Sequence, residues 1–180
     1  MNNEKSEKIA NNMYEWLDSL VFSLAIVMAV FAFFFQIYIV RGVSMFPTLE
    51  NGDRVFVYNI FYTPKQGDVI VIDDNIAINE SIIKRVIATE NQTVDINSTT
   101  GEIKVDGVVY DIPIATTTRN ITGGQEYPIT VPEGCYFVMG DNRGNSFDSR
   151  YIIIGCVKRS DILGKAVYVV SPSSNRGRIR

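Results

Sequence analysis

Glu102-Ile-Lys-Val-Asp-Gly-Val-Val-Tyr110 is the stretch whose reading decides the fold class. Two short runs rich in β-branched residues flank Asp106-Gly107, a pair suited to the two successive positive φ angles of a type I′ turn. The segment therefore predicts an antiparallel hairpin. Ile103–Val105 is its first arm, and similar runs occur on both sides of it: Arg54–Tyr58, Val69–Ile72, Ile82–Ala88, Tyr136–Met139 and Ala166–Val170. Gly-Asp, Asp-Gly or Pro signals separate them. No run beyond Arg41 keeps a helical period over three turns. Residues 41–180 are thus expected to form one mainly β domain without repeats. The polar tail Ser171–Arg180, with Arg176, Arg178 and Arg180, reads as a solvated terminus.

The N-terminal part differs. Ser19–Val40 is a 22-residue stretch without a charge, SLVFSLAIVMAVFAFFFQIYIV. As a helix it would be about 33 Å long, matching a hydrocarbon core of roughly 30 Å. Trp16 precedes it and Tyr38 lies near its far end, where aromatic rings suit the membrane interface. The block is longer than the apolar centre of a cleavable leader, and no small-residue cleavage pattern follows it. It reads as a transmembrane helix over 19–40 behind a short segment, 1–18. Orientation does not follow from charge: Lys5 and Lys8 precede the span, and Arg41 and Arg54 follow it.

Composition narrows the chemistry. The net charge of −3 across 180 residues argues against nucleic acid as a partner. The chain has no histidine, which removes Ser-His-Asp triads, Cys-His pairs and histidine-bearing zinc sites together. A hydrolase here needs another base, from Lys, Asp, Glu or Tyr. Cys135 and Cys156 fit no metal spacing; they are either one disulfide of an exported domain or small buried residues. N-x-S/T triplets at Asn79, Asn91, Asn97 and Asn120 matter only in a glycosylating host.

Three segments carry more polar chemistry than packing requires. In Arg41-Gly-Val-Ser-Met-Phe-Pro-Thr-Leu49, Ser44 sits between apolar neighbours; alone, such a serine is an ordinary turn former. In Ser81-Ile-Ile-Lys-Arg-Val-Ile-Ala88, a period of two places Ile82, Lys84 and Val86 on one face and Ile83, Arg85 and Ile87 on the other. Burial between isoleucine and valine favours the neutral amine. Lowering a lysine from about 10.4 to about 8 takes roughly 3 kcal/mol and yields a base near neutral pH. A lysine snorkelling from a strand edge is the structural alternative. In Gly140-Asp-Asn-Arg-Gly-Asn-Ser-Phe-Asp-Ser-Arg150, the density of Asp, Asn, Ser and Arg suits an internal ion-paired network or a solvated loop.

Taken together, these segments resemble the bacterial type I signal peptidases, Ser-Lys endopeptidases that remove leader sequences from exported proteins. The resemblance extends over the anchor, the Ser-Met-x-Pro-Thr-Leu box, Gly52-Asp53-Arg54, Gly67-Asp68-Val69, Lys84-Arg85-Val86-Ile87, the Gly-Asp-Asn-Arg loop and Ile162-Leu-Gly-Lys-Ala166. A single span and a short chain look like the Gram-positive form. The implied fold is a signal-peptidase-like antiparallel β-sheet catalytic domain with one N-terminal transmembrane helix. The implied nucleophile is Ser44 and the general base Lys84, with Ser146 orienting the amine. Asp141, Arg85, Asp148 and Arg150 would hold the site together, with Asn142 and Asn145 supporting the loop. The Ser44 N–H would help bind the oxyanion. Gly42 stands where some relatives carry a serine, which leaves the second oxyanion donor unassigned. Thr89-Glu90-Asn91 also departs from the Pro-Gly-Asp that often follows the lysine strand.

The resemblance further implies a catalytic domain on the outer face, an N-terminus in the cytoplasm, and no cofactor or metal. The partners would be membrane lipid and pre-proteins bearing signal peptides, with small residues at the first and third positions before the cut. Val40, Met45, Leu49, Ile82 and Ile83 are candidate pocket walls that ordinary core packing explains equally well. Two other readings compete. Soluble self-cleaving repressors share the Ser-Lys fold, but the span and the lack of a DNA-binding segment oppose them. A non-catalytic paralogue would be expected to lack the serine or the lysine, and this chain has both.

Overall fold

The computed structural model describes residues 2–73, 80–110, 112 and 124–179. The triplets at Asn79 and Asn120 lie outside them. The chain divides into two units, Met1–Gln36 and Ile37–Arg180. The first is the helix α1 (Asn2–Phe34). Within it Asn12–Ala32, 21 residues, is long and apolar enough to cross a membrane, at about 32 Å. Its large side chains, Trp16, Leu20, Phe22 and Met28 among them, are all exposed within the protein. That fits a transmembrane anchor.

The expected helix over 19–40 is corrected at its far end. Helix α1 stops at Phe34, and the next residues form strand β1 (Phe35–Ile39). The reason lies in Gln36-Ile-Tyr-Ile-Val40. Its β-branched and aromatic residues suit a pleat, with Tyr38 partly buried and Val40 buried while Ile37 and Ile39 face outward. Apolarity alone could not distinguish that strand from one more helical turn.

Among its described residues the second unit is built of β-strands and short 3₁₀ turns. Its strands are β2 (Arg54–Tyr58), β3 (Val69–Ile72), β4 (Ile82–Ala88), β5 (Thr93–Ile96), β6 (Ile103–Val105) and β7 (Val108–Val109). After these come β8 (Ile129–Thr130), β9 (Cys135–Met139), β10 (Val157–Lys158), β11 (Ile162–Ser171) and β12 (Gly177–Arg178). The larger sheet has the order β1-β2-β11-β3-β4-β9-β10, with β12 added to β11. The smaller has the order β7-β6-β5-β8. The pairings from β2 through β10 are antiparallel, so the mainly β class holds. The hairpin read from Glu102–Tyr110 is β6–β7, with φ of +52° at Asp106 and +79° at Gly107. The Asp106 carboxylate also accepts the Thr93 N–H at 2.8 Å, tying the turn to β5.

Three apolar clusters hold the two sheets. Met45 and Leu49 enter one, with Val40, Val55, Val57 and Ile83. Ile87, Phe137 and Met139 of the large sheet meet Val94, Ile96, Ile103 and Val105 of the small sheet in the second. Val86, Ile70, Ile72 and Val138 form the third, against which Ile82 packs. The alternation read in β4 is therefore real for its apolar members. Cys135 and Cys156 are free, half-buried thiols beside Phe137. Burial, and the neighbouring Cys135, push the Cys156 thiol up to about 11.

Candidate active site

Ser44 lies in a turn whose neighbours anchor it from below. Met45 and Leu49 are fully buried, and the Leu49 N–H donates to the Met45 carbonyl at 2.9 Å. Val43 and Phe46, on either side, remain exposed. The short apolar box thus fastens itself to the core by alternate residues and leaves the serine hydroxyl at the surface of that core.

Lys84 lies in β4, which is paired with β3 on one side and β9 on the other. Its side chain is 3% exposed. Nζ donates to Ser44 Oγ at 2.9 Å and to the Ile83 carbonyl at 3.1 Å. Burial pushes the amine down to about 8; the Asp148 carboxylate opposes this shift and the Arg150 guanidinium adds to it. An amine with that pKa is half neutral near pH 8, within hydrogen-bond reach of a hydroxyl. That is the arrangement a proton-abstracting base needs.

The loop between β9 and β10 clamps both residues in place. Arg85 holds Asp141 with two hydrogen bonds, Nε to Oδ1 at 2.8 Å and Nη2 to Oδ2 at 2.7 Å, in a fully buried pair. Thr48 Oγ1 donates to the same Oδ2. The Asn142 N–H donates to the Ser44 carbonyl at 2.9 Å and its side-chain amide to the Val43 carbonyl at 3.1 Å. The Ser44 turn is therefore bound to the lysine strand through Asp141 and to the loop through Asn142. A second buried pair, Arg150 to Asp148 at 2.8 and 2.9 Å, accepts the Gly140 N–H at 3.0 Å and fixes the loop's return. Each charge is matched within a low-dielectric interior, where an unmatched one would be costly.

The loop packs closely at Gly140. A Cβ there would stand 2.3 Å from Ser146 Oγ and 2.4 Å from the Ser44 carbonyl oxygen. The Ser146 hydroxyl and the Ser44 backbone therefore lie side by side across a glycine where an added Cβ would force one of them to shift. Ser146 Oγ is buried and has no hydrogen-bond partner among the described residues, so the expected bond to Lys84 is not formed in this geometry. The Ser44 N–H donates to no described acceptor, whereas the Gly42 N–H is taken by Asn51 Oδ1 at 2.9 Å. Of the five expected pocket walls, Val40, Met45 and Leu49 are core. Ile82 packs against a different cluster, and only Ile83 lines an open cleft.

Residues 13–171 match the family described as "Signal peptidase, peptidase S26". The chain belongs to this family. It is 34% identical over 182 residues to signal peptidase I of Bacillus licheniformis, with 96% of each chain covered. It is 33% identical to signal peptidase I T of Bacillus subtilis strain 168, over 95% of this chain and 92% of that one. A crystal structure of a signal peptidase I from Enterococcus faecalis aligns over 61% of this chain and 98% of its own, at 28% identity and a TM-score of 0.45.

Within this signal peptidase family member, two residues of the site have structural roles that the sequence motifs do not imply. Thr48 joins the Ser44 box to Asp141, and Gly140 admits Ser146. Thr48 offered one usable signal, a hydroxyl residue beside the core-anchoring Leu49. Gly140 had only its place after an apolar strand, a position that usually marks a turn.

Proposed function

We propose that this protein is a membrane-anchored serine endopeptidase that removes N-terminal signal peptides from exported pre-proteins, cutting after a small-x-small motif. Neutral Lys84 takes the proton of the Ser44 hydroxyl as Oγ attacks the scissile carbonyl. The resulting ammonium protonates the leaving amine, and the restored amine activates water to release the acyl group. The Ser44 N–H, without a described acceptor, supplies one oxyanion donor. Ser146, whose buried Oγ has no partner among the described residues, is the group assigned to orient the lysine amine. The observation that carries the reading is the 2.9 Å contact between Ser44 Oγ and a lysine amine held down to about 8.

A substrate strand has room along the wall that holds Ile83, the chain neighbour of Lys84. An open cleft of about 370 Å³ is lined by Ile37, Tyr38 and Ile39 on β1 and by Val71, Ser81 and Ile83 across from them. Among the described strands β1 ends the sheet order, and β9 joins β4 only from Arg85 onward, so the start of β4 has no described strand on that side. Free strand edges receive extended peptides by main-chain pairing. Residues 1–18 would be cytoplasmic, the span within 19–40 would cross the membrane, and residues 41–180 would work at the outer lipid surface. Ser44 follows the last helical residue by only ten positions, which suits a site where leader peptides emerge.

Purified full-length protein incubated with a pre-protein should release the leader, while Ser44→Ala and Lys84→Met should not. A wild type that leaves the pre-protein intact would favour the non-catalytic paralogue.

A further inference from the structure

The cleft that β1 and β4 enclose is apolar along its walls, with Ile37, Ile39, Val71 and Ile83. Among the described residues, two charged side chains line it, Arg41 and Glu80, and they bond to each other. Arg41 Nη1 lies 2.8 Å from Glu80 Oε1. Arg41 is three residues before Ser44 on one wall, and Glu80 is four residues before Lys84 on the other. The ion pair therefore joins the two walls of the cleft.

A peptide strand lying between two others sits roughly 4.8 Å from each, so it would occupy the space that these two side chains cross. Either the strap opens as the peptide enters, or a side chain of the peptide takes the place of one partner. We propose that Arg41 and Glu80 are specificity-determining residues that form a charge-reading strap over the substrate cleft. This rests on the reading of that cleft as the substrate site. In the intact pair the two charges cancel, so peptides with a neutral residue beneath the strap bind best, and acidic and basic residues are disfavoured alike. With one partner removed, the survivor attracts the opposite charge.

The size of the effect follows from exposure. The two side chains are 77% and 47% exposed, so water and salt screen the pair. Exposed pairs of this kind change an equilibrium by no more than about fivefold. The strap is therefore a tuning element and not a lock.

The test measures binding in the full chain with Ser44→Ala, in nonionic detergent. The probes are short alanine-rich peptides ending in Ala-x-Ala, carrying a neutral fluorophore, with Lys, Glu or Gln scanned through the residues preceding that motif. At one scanned position, Glu80→Gln should favour the Glu peptide over the Lys peptide by about fivefold, and Arg41→Gln should reverse that order. The exchange Arg41→Glu with Glu80→Arg should restore parity. The neutral peptide should bind two- to fivefold more tightly at about 500 mM salt than at about 20 mM, and the Arg41→Gln/Glu80→Gln double variant should lose that dependence. Equal affinities for all three peptides in both single variants, or shifts of the same sign in both, would overturn the strap. Cleavage of the neutral peptide with Ser44 intact reports separately on the peptidase reading. Cleavage without inverted preferences defeats the strap alone, and inverted preferences without cleavage defeat the peptidase assignment alone.

Discussion

Replacing Lys84 by Met should stabilise the protein, by an amount that depends on pH in a defined way. The amine is 3% exposed and is held at about 8 against an ordinary 10.5. At 1.36 kcal/mol per unit, the folded state bears a penalty of about 3 kcal/mol whenever the unfolded chain carries the protonated lysine. The folded pKa lies below the unfolded one, so the penalty is complete below about pH 8 and declines as pH rises through the interval up to 10.5. It should be about 2 kcal/mol at pH 9 and under about 0.5 kcal/mol at pH 10.5. Methionine has a similar length and no charge, so it removes the penalty without opening a large cavity. The assay is urea denaturation of the full chain in nonionic detergent, followed by tyrosine near-ultraviolet circular dichroism at pH 7, 9 and 10.5. Because variant and wild type are compared at each pH, other titrating groups cancel. A difference that stays constant across this range, or a wild type more stable than Lys84→Met at pH 7, would refute the reasoning.

Other perturbations probe the frame around the pair. Since only about a tenth of Lys84 is neutral at pH 7 and about half at pH 8, kcat/KM on a neutral peptide should rise close to tenfold between pH 7 and 9; stopped assays across that range check it. Asp141→Ala leaves the buried Arg85 without its carboxylate and should cost about 3–5 kcal/mol of stability, read from the shift in denaturation midpoint. Gly140→Ala drives a methyl group against Ser146 Oγ and the Ser44 carbonyl. It should lower kcat by about 100-fold while leaving circular dichroism near that of the wild type. Thr48→Val removes the hydroxyl bond to Asp141 and should slow cleavage, with Thr48→Ser restoring most of it; steady-state kinetics separate the two.

Much of the fold was legible because its signals were local. Asp106-Gly107 demanded a turn that few other residues could make, and Val69–Ile72 and Ile82–Ala88 were rich enough in β-branched residues to read as strands. The end of the helix was not legible, since Phe35–Ile39 suits both a membrane helix and a strand until Tyr38 and Val40 have a core to enter. Strand β5, Thr93–Ile96, went unread because its four residues alternate weakly and draw their burial from the small sheet. At the site, the direction of the Lys84 shift followed from its apolar neighbours. Its distance from Ser44 depended on a contact spanning forty residues, which no local pattern encodes. The pocket residues show the converse. Met45 and Leu49 are apolar because they anchor the turn, and composition alone cannot separate that role from lining a cleft.

The central claim is that neutral Lys84 releases Ser44 to attack a peptide carbonyl. Single turnovers with a peptide substrate, quenched in acid and mapped by mass spectrometry, test it most directly. The account predicts an acyl adduct on Ser44 whose rate of formation rises between pH 6 and 9 with a midpoint near about 8. An adduct on another residue, or one that forms at the same rate throughout that range, would contradict it.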